Sequence, residues 1–226
     1  MSWPKTERWT YAVAVRLLWE FVRRRDSCGA LALPEPLVGH PFPVMWRGRL
    51  ISQDLANSAL EAAAIRRATG PRPVRSFLEI GAGYGRTAYV LLSVFPNCTY
   101  TIVDIEPALS LSRWYLMQLF PADRLRFLRP DEALELARGS ADVALSISSL
   151  QEMTADQVRG YLGVLDHVAA GGTVFLKQLT TWRNPVDGIV MSFAEYPVPP
   201  GWITLFREVA PVQTTFEQAA WRLPSA

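Results

Sequence analysis

The sequence predicts an α/β fold, an open and mostly parallel sheet with helices on both faces. Three observations predict it. Between residues 75 and 178, β-rich runs and helical runs alternate through five strands. Three glycines at alternate positions, Gly81, Gly83 and Gly85, join the first strand to its helix. The second strand, Thr99–Val103, is followed at once by an acid, Asp104.

The elements follow in order. Residues 6–25 carry apolar side chains at helical spacing, with Trp9, Val13, Leu17 and Phe21 on one stripe. The basic triplet Arg23–Arg25 suits the C-terminal end of that helix, and Gly29 lies just beyond as a stop. Residues 31–48 are rich in proline and read as a loop. A helix then runs from about Ser52 through Ala68, stopped by Gly70-Pro71. These first 70 residues form a helical cap and lid segment; residues 71–226 form the α/β core. In the core, strands are expected at 75–80, 99–103, 125–128, 142–148 and 173–178. Helices are expected at 85–95, 107–120, 131–138 and 154–169, the second opened by Pro107. Residues 181–201 read as a loop, and two strand-like runs, 202–209 and 214–221, close the chain.

Bulk properties narrow the class. The 226 residues are half hydrophobic and 19% charged, with a net charge of only +2. That composition suits an ordinary globular domain and no dedicated nucleic-acid binder. Two cysteines, Cys28 and Cys98, form no metal or disulfide spacing, and no His/Asp/Glu cluster has ligand spacing, so no metal is expected. No apolar run is long enough for a membrane span, and the N-terminal residues do not read as a signal peptide. A cytoplasmic setting with no membrane partner is expected.

The glycine run points to a nucleotide-like ligand. Strand, glycine turn and helix present backbone N–H groups to a ligand, and glycine lets the backbone approach it closely. A dinucleotide fingerprint needs glycine at position 86, which is Arg86. The spacing from Glu79 through Gly81, Gly83 and Gly85 instead resembles the first motif of class I S-adenosylmethionine (SAM) methyltransferases. SAM carries an ammonium and a sulfonium in place of a pyrophosphate, which gives an acid at position 79 a use. Asp104, some 20 residues beyond the glycines, suits the ribose hydroxyls.

Five further strings, Gly48–Ser58, Ile102–Leu109, Ser146–Met153, Lys177–Gln178 and Pro211–Gln213, resemble a family of bacterial sugar O-methyltransferases of polysaccharide and natural-product pathways. The resemblance spans roughly residues 38–222. It implies a Rossmann-like class I methyltransferase fold, with a seven-stranded sheet ending in an antiparallel hairpin. It implies SAM as cofactor, S-adenosylhomocysteine (SAH) as product, and a hydroxylated small molecule as acceptor: a sugar, or a glycosylated or polyketide-type natural product.

Candidate site residues fall at strand ends and in the cap. For the cofactor they are Glu79, Gly81, Ala82, Gly83, Tyr84, Gly85, Asp104, Ile105 and Ser148. Asp131, after the third strand, is placed at the adenine or is an ordinary helix cap. Arg49, Gln53 and Asn57, about one helical turn apart, face the cofactor carboxylate or solvent. Glu152, after the fourth strand, is the first choice for general base; its alternative is a helix-entry acid. His40 is a second catalytic candidate or a loop-packing residue, and His167 is read as structural. Ser149, Gln151, Lys177, Gln178 and Trp182 are placed at the acceptor. Two rival functions remain open: a SAM-binding enzyme that cyclises or rearranges its substrate without methylating it, and a non-catalytic SAM-binding partner subunit. The aromatic stripe Trp9, Trp19 and Phe21 suits either a homodimer or packing within the monomer.

Overall fold

The computed structural model describes residues 5–38, 42, 44–184 and 188–225. Its chain starts with helix α1 (Lys5–Arg23) and a hairpin of β1 (Val44–Trp46) and β2 (Arg49–Ile51). Helix α2 (Gln53–Thr69) follows. The core runs β3 (Ser76–Ile80), α3 (Arg86–Val94), β4 (Thr99–Val103), α4 (Ala108–Leu116), β5 (Leu125–Leu128), α5 (Pro130–Ala133), β6 (Val143–Ile147), α6 (Ala155–Val168) and β7 (Thr173–Leu179). A small hairpin, β8 (Thr181–Arg183) and β9 (Val190–Ser192), precedes the final pair, β10 (Ile203–Val209) and β11 (Phe216–Arg222).

Seven strands form one sheet in the order β10-β11-β7-β6-β3-β4-β5. The strands from β3 to β7 run parallel, while β11 pairs antiparallel with both β7 and β10. The expected fold class is the one observed. β3 lies at the centre, with β4 on one side and β6 on the other. The winding direction reverses there, and ligands of such sheets bind in the crevice beyond the strand tips at that point.

The cap is joined to the sheet by its own side chains. Val15, Trp19 and Val22 of α1 are buried. The Trp19 indole N–H donates to the Ser52 carbonyl at 2.7 Å. Ser52 in turn caps α2, accepting from the Leu55 N–H at 3.0 Å. α2 is buried along most of its length, and one apolar cluster runs from Val15 through Ile65 to Phe77 and Tyr100. The aromatic stripe is therefore split: Trp19 is 7% exposed and belongs to the core, whereas Trp9 is 68% exposed.

Three segments differ from expectation. Within the proline-rich loop, Arg47 and Gly48 both take positive φ (49° and 80°) and turn the chain into the β1–β2 hairpin, which buries Val44 and Ile51. The segment expected as helix 131–138 holds only one turn, α5. Beyond Ala133 the N–H groups of Leu134, Glu135 and Leu136 bond three residues back, to the carbonyls of Asp131, Glu132 and Ala133, so the segment tightens into 3-10 turns. The loop expected at 181–201 contains β8 and β9, each three residues long and so too short to show a period-two pattern.

Candidate functional site

β3 delivers the glycine turn to the crevice. Gly81 takes φ 73° and donates its N–H to the Val103 carbonyl at 2.9 Å. A Cβ there would sit 1.8 Å from the Ser149 hydroxyl oxygen, so glycine is what lets the loop after β6 close onto the loop after β3. Gly83 takes φ 58°, and a Cβ there would meet nothing within 4 Å. One side of Gly83 thus faces open space, while its N–H donates to Asp104 Oδ2 at 3.1 Å.

Asp104 stands at the tip of β4. Its Oδ1 accepts from the Ile105 N–H at 2.8 Å. Burial pushes its carboxyl up, opposed by the N–H groups of Ile105, Gly83 and Ala82. The carboxylate is held by backbone alone, leaving acceptor capacity on both oxygens for a vicinal diol. An open glycine beside such a carboxylate fits a ribosyl ligand.

Glu79 lies deeper. It is 2% exposed and accepts from the Tyr100 hydroxyl at 2.7 Å. Burial drives its carboxyl to about 7, against the opposing Tyr100 hydrogen bond. Ser148, at the tip of β6, holds φ 58°, an uncommon conformation for a residue with a Cβ, and its N–H bonds the Lys177 carbonyl at 2.8 Å.

The loop after β6 is pinned by two glutamines. The Gln178 side chain is buried, accepts from the Gln151 N–H at 3.3 Å and donates to the Ser146 carbonyl at 3.1 Å. Gln151 Oε1 accepts from the Leu179 N–H at 2.7 Å. Glu152 follows in the short turn Leu150–Glu152, before the Thr154 cap of α6. Its carbonyl accepts from Asn184 at 3.3 Å, which ties this loop to the end of β8.

The remaining candidates are dispersed. Lys177 is buried, and its ammonium donates to Glu61 at 2.9 Å and to Gln213 at 2.5 Å. Asp131 is exposed in the first turn of α5 and pairs with Arg129 at 3.3 Å. Trp182 lies on β8. Arg49 does not share a helix with Gln53 and Asn57, as the spacing had suggested. It lies on β2, because Ser52 starts the helix only after the hairpin, and its guanidinium donates to the Leu33 carbonyl. Gln53 is exposed and Asn57 is buried. His40 lies outside the described residues.

Sequence reasoning missed an ionic cluster beneath this site. Glu61 of α2 is fully buried and takes hydrogen bonds from Arg86 (3.2 Å), Thr87 (3.2 Å) and Lys177 (2.9 Å). Although burial pushes its carboxyl up, Arg86 and Lys177 together hold it at about 2. A lone acid within the alanine-rich run Ala59–Ile65 was the available signal.

A cavity of about 460 Å³ lies at the opposite end of the strands beside Thr99, Arg126 and Ser140. It is remote from the crevice where ligands of this sheet bind, and we assign it no chemistry.

Comparison with known proteins agrees with this geometry. Residues 78–174 match a family model described as a methyltransferase domain. A malonyl-[acyl-carrier protein] O-methyltransferase of Paenibacillus sp. (strain JDR-2) is 29% identical over 106 residues, 46% of this chain and 37% of that protein. The mitomycin 7-O-methyltransferase MmcR superposes with a TM-score of 0.55 at 18% identity, covering 76% of this chain and 57% of its own. A structure from Galdieria sulphuraria, provisionally described as a sarcosine dimethylglycine methyltransferase, superposes with a TM-score of 0.61 at 13% identity, covering 92% and 97%. The chain thus spans little more than a third of the curated relative and under two thirds of MmcR. The strand order and the match across the glycine turn lead to one conclusion: this chain has the class I methyltransferase fold, and its residues 78–174 resemble a methyltransferase domain.

Proposed function

We propose that the chain is an O-methyltransferase acting on a hydroxyl of a small molecule, a sugar or a glycosylated or polyketide-type natural product. One observation carries the reading: the Asp104 carboxylate, held by the Gly83 and Ile105 N–H groups beside an open glycine, at the point where the sheet reverses its winding. Gly81, Ala82, Gly83 and Ile105 would line the nucleoside, and Ser148 and Ser149 would close its other edge. The relatives described as O-methyltransferases favour oxygen as the acceptor atom.

SAM supplies a methyl group already activated on a sulfonium. The chain's own task is to hold the acceptor hydroxyl in line and to take its proton. Glu152 suits the second task. It lies in the loop after β6, pinned by Gln151 and Gln178, and its carboxylate takes no hydrogen bond or ion pair among the described residues. We place the protein in the cytoplasm and take the exposed Trp9 region of α1 as the surface for a homodimer. Among the described residues no helix is long and apolar enough to cross a membrane.

The test is turnover of methyl-labelled SAM with hydroxylated acceptors, following label and SAH together. Glu152→Ala should lower kcat by about 10²–10⁴-fold with SAH affinity unchanged. Unchanged turnover removes Glu152 as base. Product formed without SAM consumption, or SAM bound with no product from any acceptor, removes the methyltransferase reading.

A further inference from the structure

A smaller cavity, about 240 Å³, opens beside the glycine turn between the residue 35–38 segment, α2 and α4. None of Gly81, Gly83, Asp104, Ile105 or Ser148 lines it, so it is separate from the nucleoside edge. Its walls combine two chemistries. Tyr84, Trp114 and Tyr115 supply aromatic rings, and Glu35 and Asp54 supply carboxylates.

We propose that this cavity binds the ammonium head of a small organic cation, with Glu35 and Asp54 as counter-ions and Trp114, Tyr84 and Tyr115 as the aromatic wall. Tyr84 and Tyr115 meet edge to face, 5.3 Å between centroids. The Tyr84 hydroxyl donates to Asp54 at 2.6 Å, and the Ser52 hydroxyl donates to Glu35 at 2.7 Å. Each carboxylate therefore has one oxygen fixed in place, and the second takes no hydrogen bond among the described residues. Trp114 is 53% exposed, an indole left open to water at the mouth of the cavity.

The charges around the cavity favour a cation. Burial, and then the neighbouring Asp54 charge, raise the Glu35 carboxyl, so the two acids lie close enough to repel. Among the described residues no basic side chain lines the cavity. Arg49, which opposes that rise, is directed to the Leu33 carbonyl and the Trp19 ring. Arg86, the cation nearest Tyr84 on α3, is committed to Glu61 and Ser58. Arg113 of α4 lies over the Phe127 ring. A positive ligand would relieve the Glu35–Asp54 repulsion, and an anion would add to it. Rings beside carboxylates suit an alkylammonium better than a metal ion, which needs several oxygen ligands.

The inference holds whether or not the chain methylates oxygen, because its test needs no turnover. Choline and its uncharged carbon isostere, dimethylbutanol, are titrated calorimetrically into the full chain, with and without saturating SAH. Choline should bind at least about tenfold more tightly than the isostere in both conditions. Trp114→Ala and Glu35→Gln should each weaken choline by at least about threefold while the melting temperature and SAH affinity stay in place. No choline heat at about 10 mM, equal binding of the isostere, displacement of choline by SAH, or two variants that bind choline as before would each overturn the proposal.

Discussion

Two buried glutamates show how differently one side chain is used in two regions of the molecule. Glu79 lies under the glycine turn on β3 with a single neutral partner, Tyr100. Glu61 lies at the seam between cap and core with Arg86 and Lys177 both upon it. Both are nearly inaccessible, so desolvation penalises both charges. At the seam, two cations outweigh that penalty and hold the carboxyl at about 2. Under the turn nothing outweighs it, and the carboxyl sits at about 7. The seam is thus an ionic lock between α2, α3 and β7. The region beneath the nucleoside edge is an electrostatically unsatisfied place, suited to a ligand that brings positive charge. Raised carboxyl values of this kind cluster at functional sites.

The comparison can be broken most decisively at the seam. Glu61→Ala leaves the buried Lys177 and the partly buried Arg86 without their shared partner and should cost about 3–5 kcal/mol in urea unfolding. A loss below about 1 kcal/mol would mean that the cluster is not a lock. In the parent protein, the Glu61 contribution is present above pH 4.5, its ordinary value, and is lost as pH falls towards about 2.

Glu79 should behave with the opposite sign. Its folded-state carboxyl titrates above its unfolded value, so stability is lost as pH rises from about 4.5 to about 7. Glu79→Gln keeps an acceptor for Tyr100 and removes that loss. The variant should be more stable than the parent by up to about 3 kcal/mol at pH 8, with the difference vanishing near pH 4. A difference that does not change with pH would show that Glu79 is not held protonated.

The smallest expected effect sharpens the ligand side. Asp104→Asn removes the charge facing the Gly83 and Ile105 N–H groups and should weaken SAH by about ten- to a hundredfold while leaving the melting temperature nearly unchanged. SAH bound as tightly as before would move the ribose away from β4.

Much of this was legible in the chain. The core strands and most helices lie within a few residues of their expected bounds, because each carries its own apolar period and its own stop. The glycine turn was legible because alternate glycines have few other uses. The β1–β2 hairpin was not, since three-residue strands carry no periodic signal and Arg47-Gly48 is a weak turn sequence. The shortness of α5 was not, because beyond Ala133 the N–H groups of Leu134, Glu135 and Leu136 switch to carbonyls three residues back, a change of geometry that the residue pattern does not announce.

The order of local signals along the chain was enough to specify an α/β sheet with an acid and three glycines at its ligand edge. Hydrophobic period and glycine conformation are properties of neighbouring residues, so the linear sequence carries them. The partners of each charge were settled only by folding. Glu61 meets Lys177 across 116 positions, and Glu35 and Asp54 come to share one cavity with Trp114. Coulomb energy and desolvation depend on distance and burial in three dimensions, and the sequence lists charges without either.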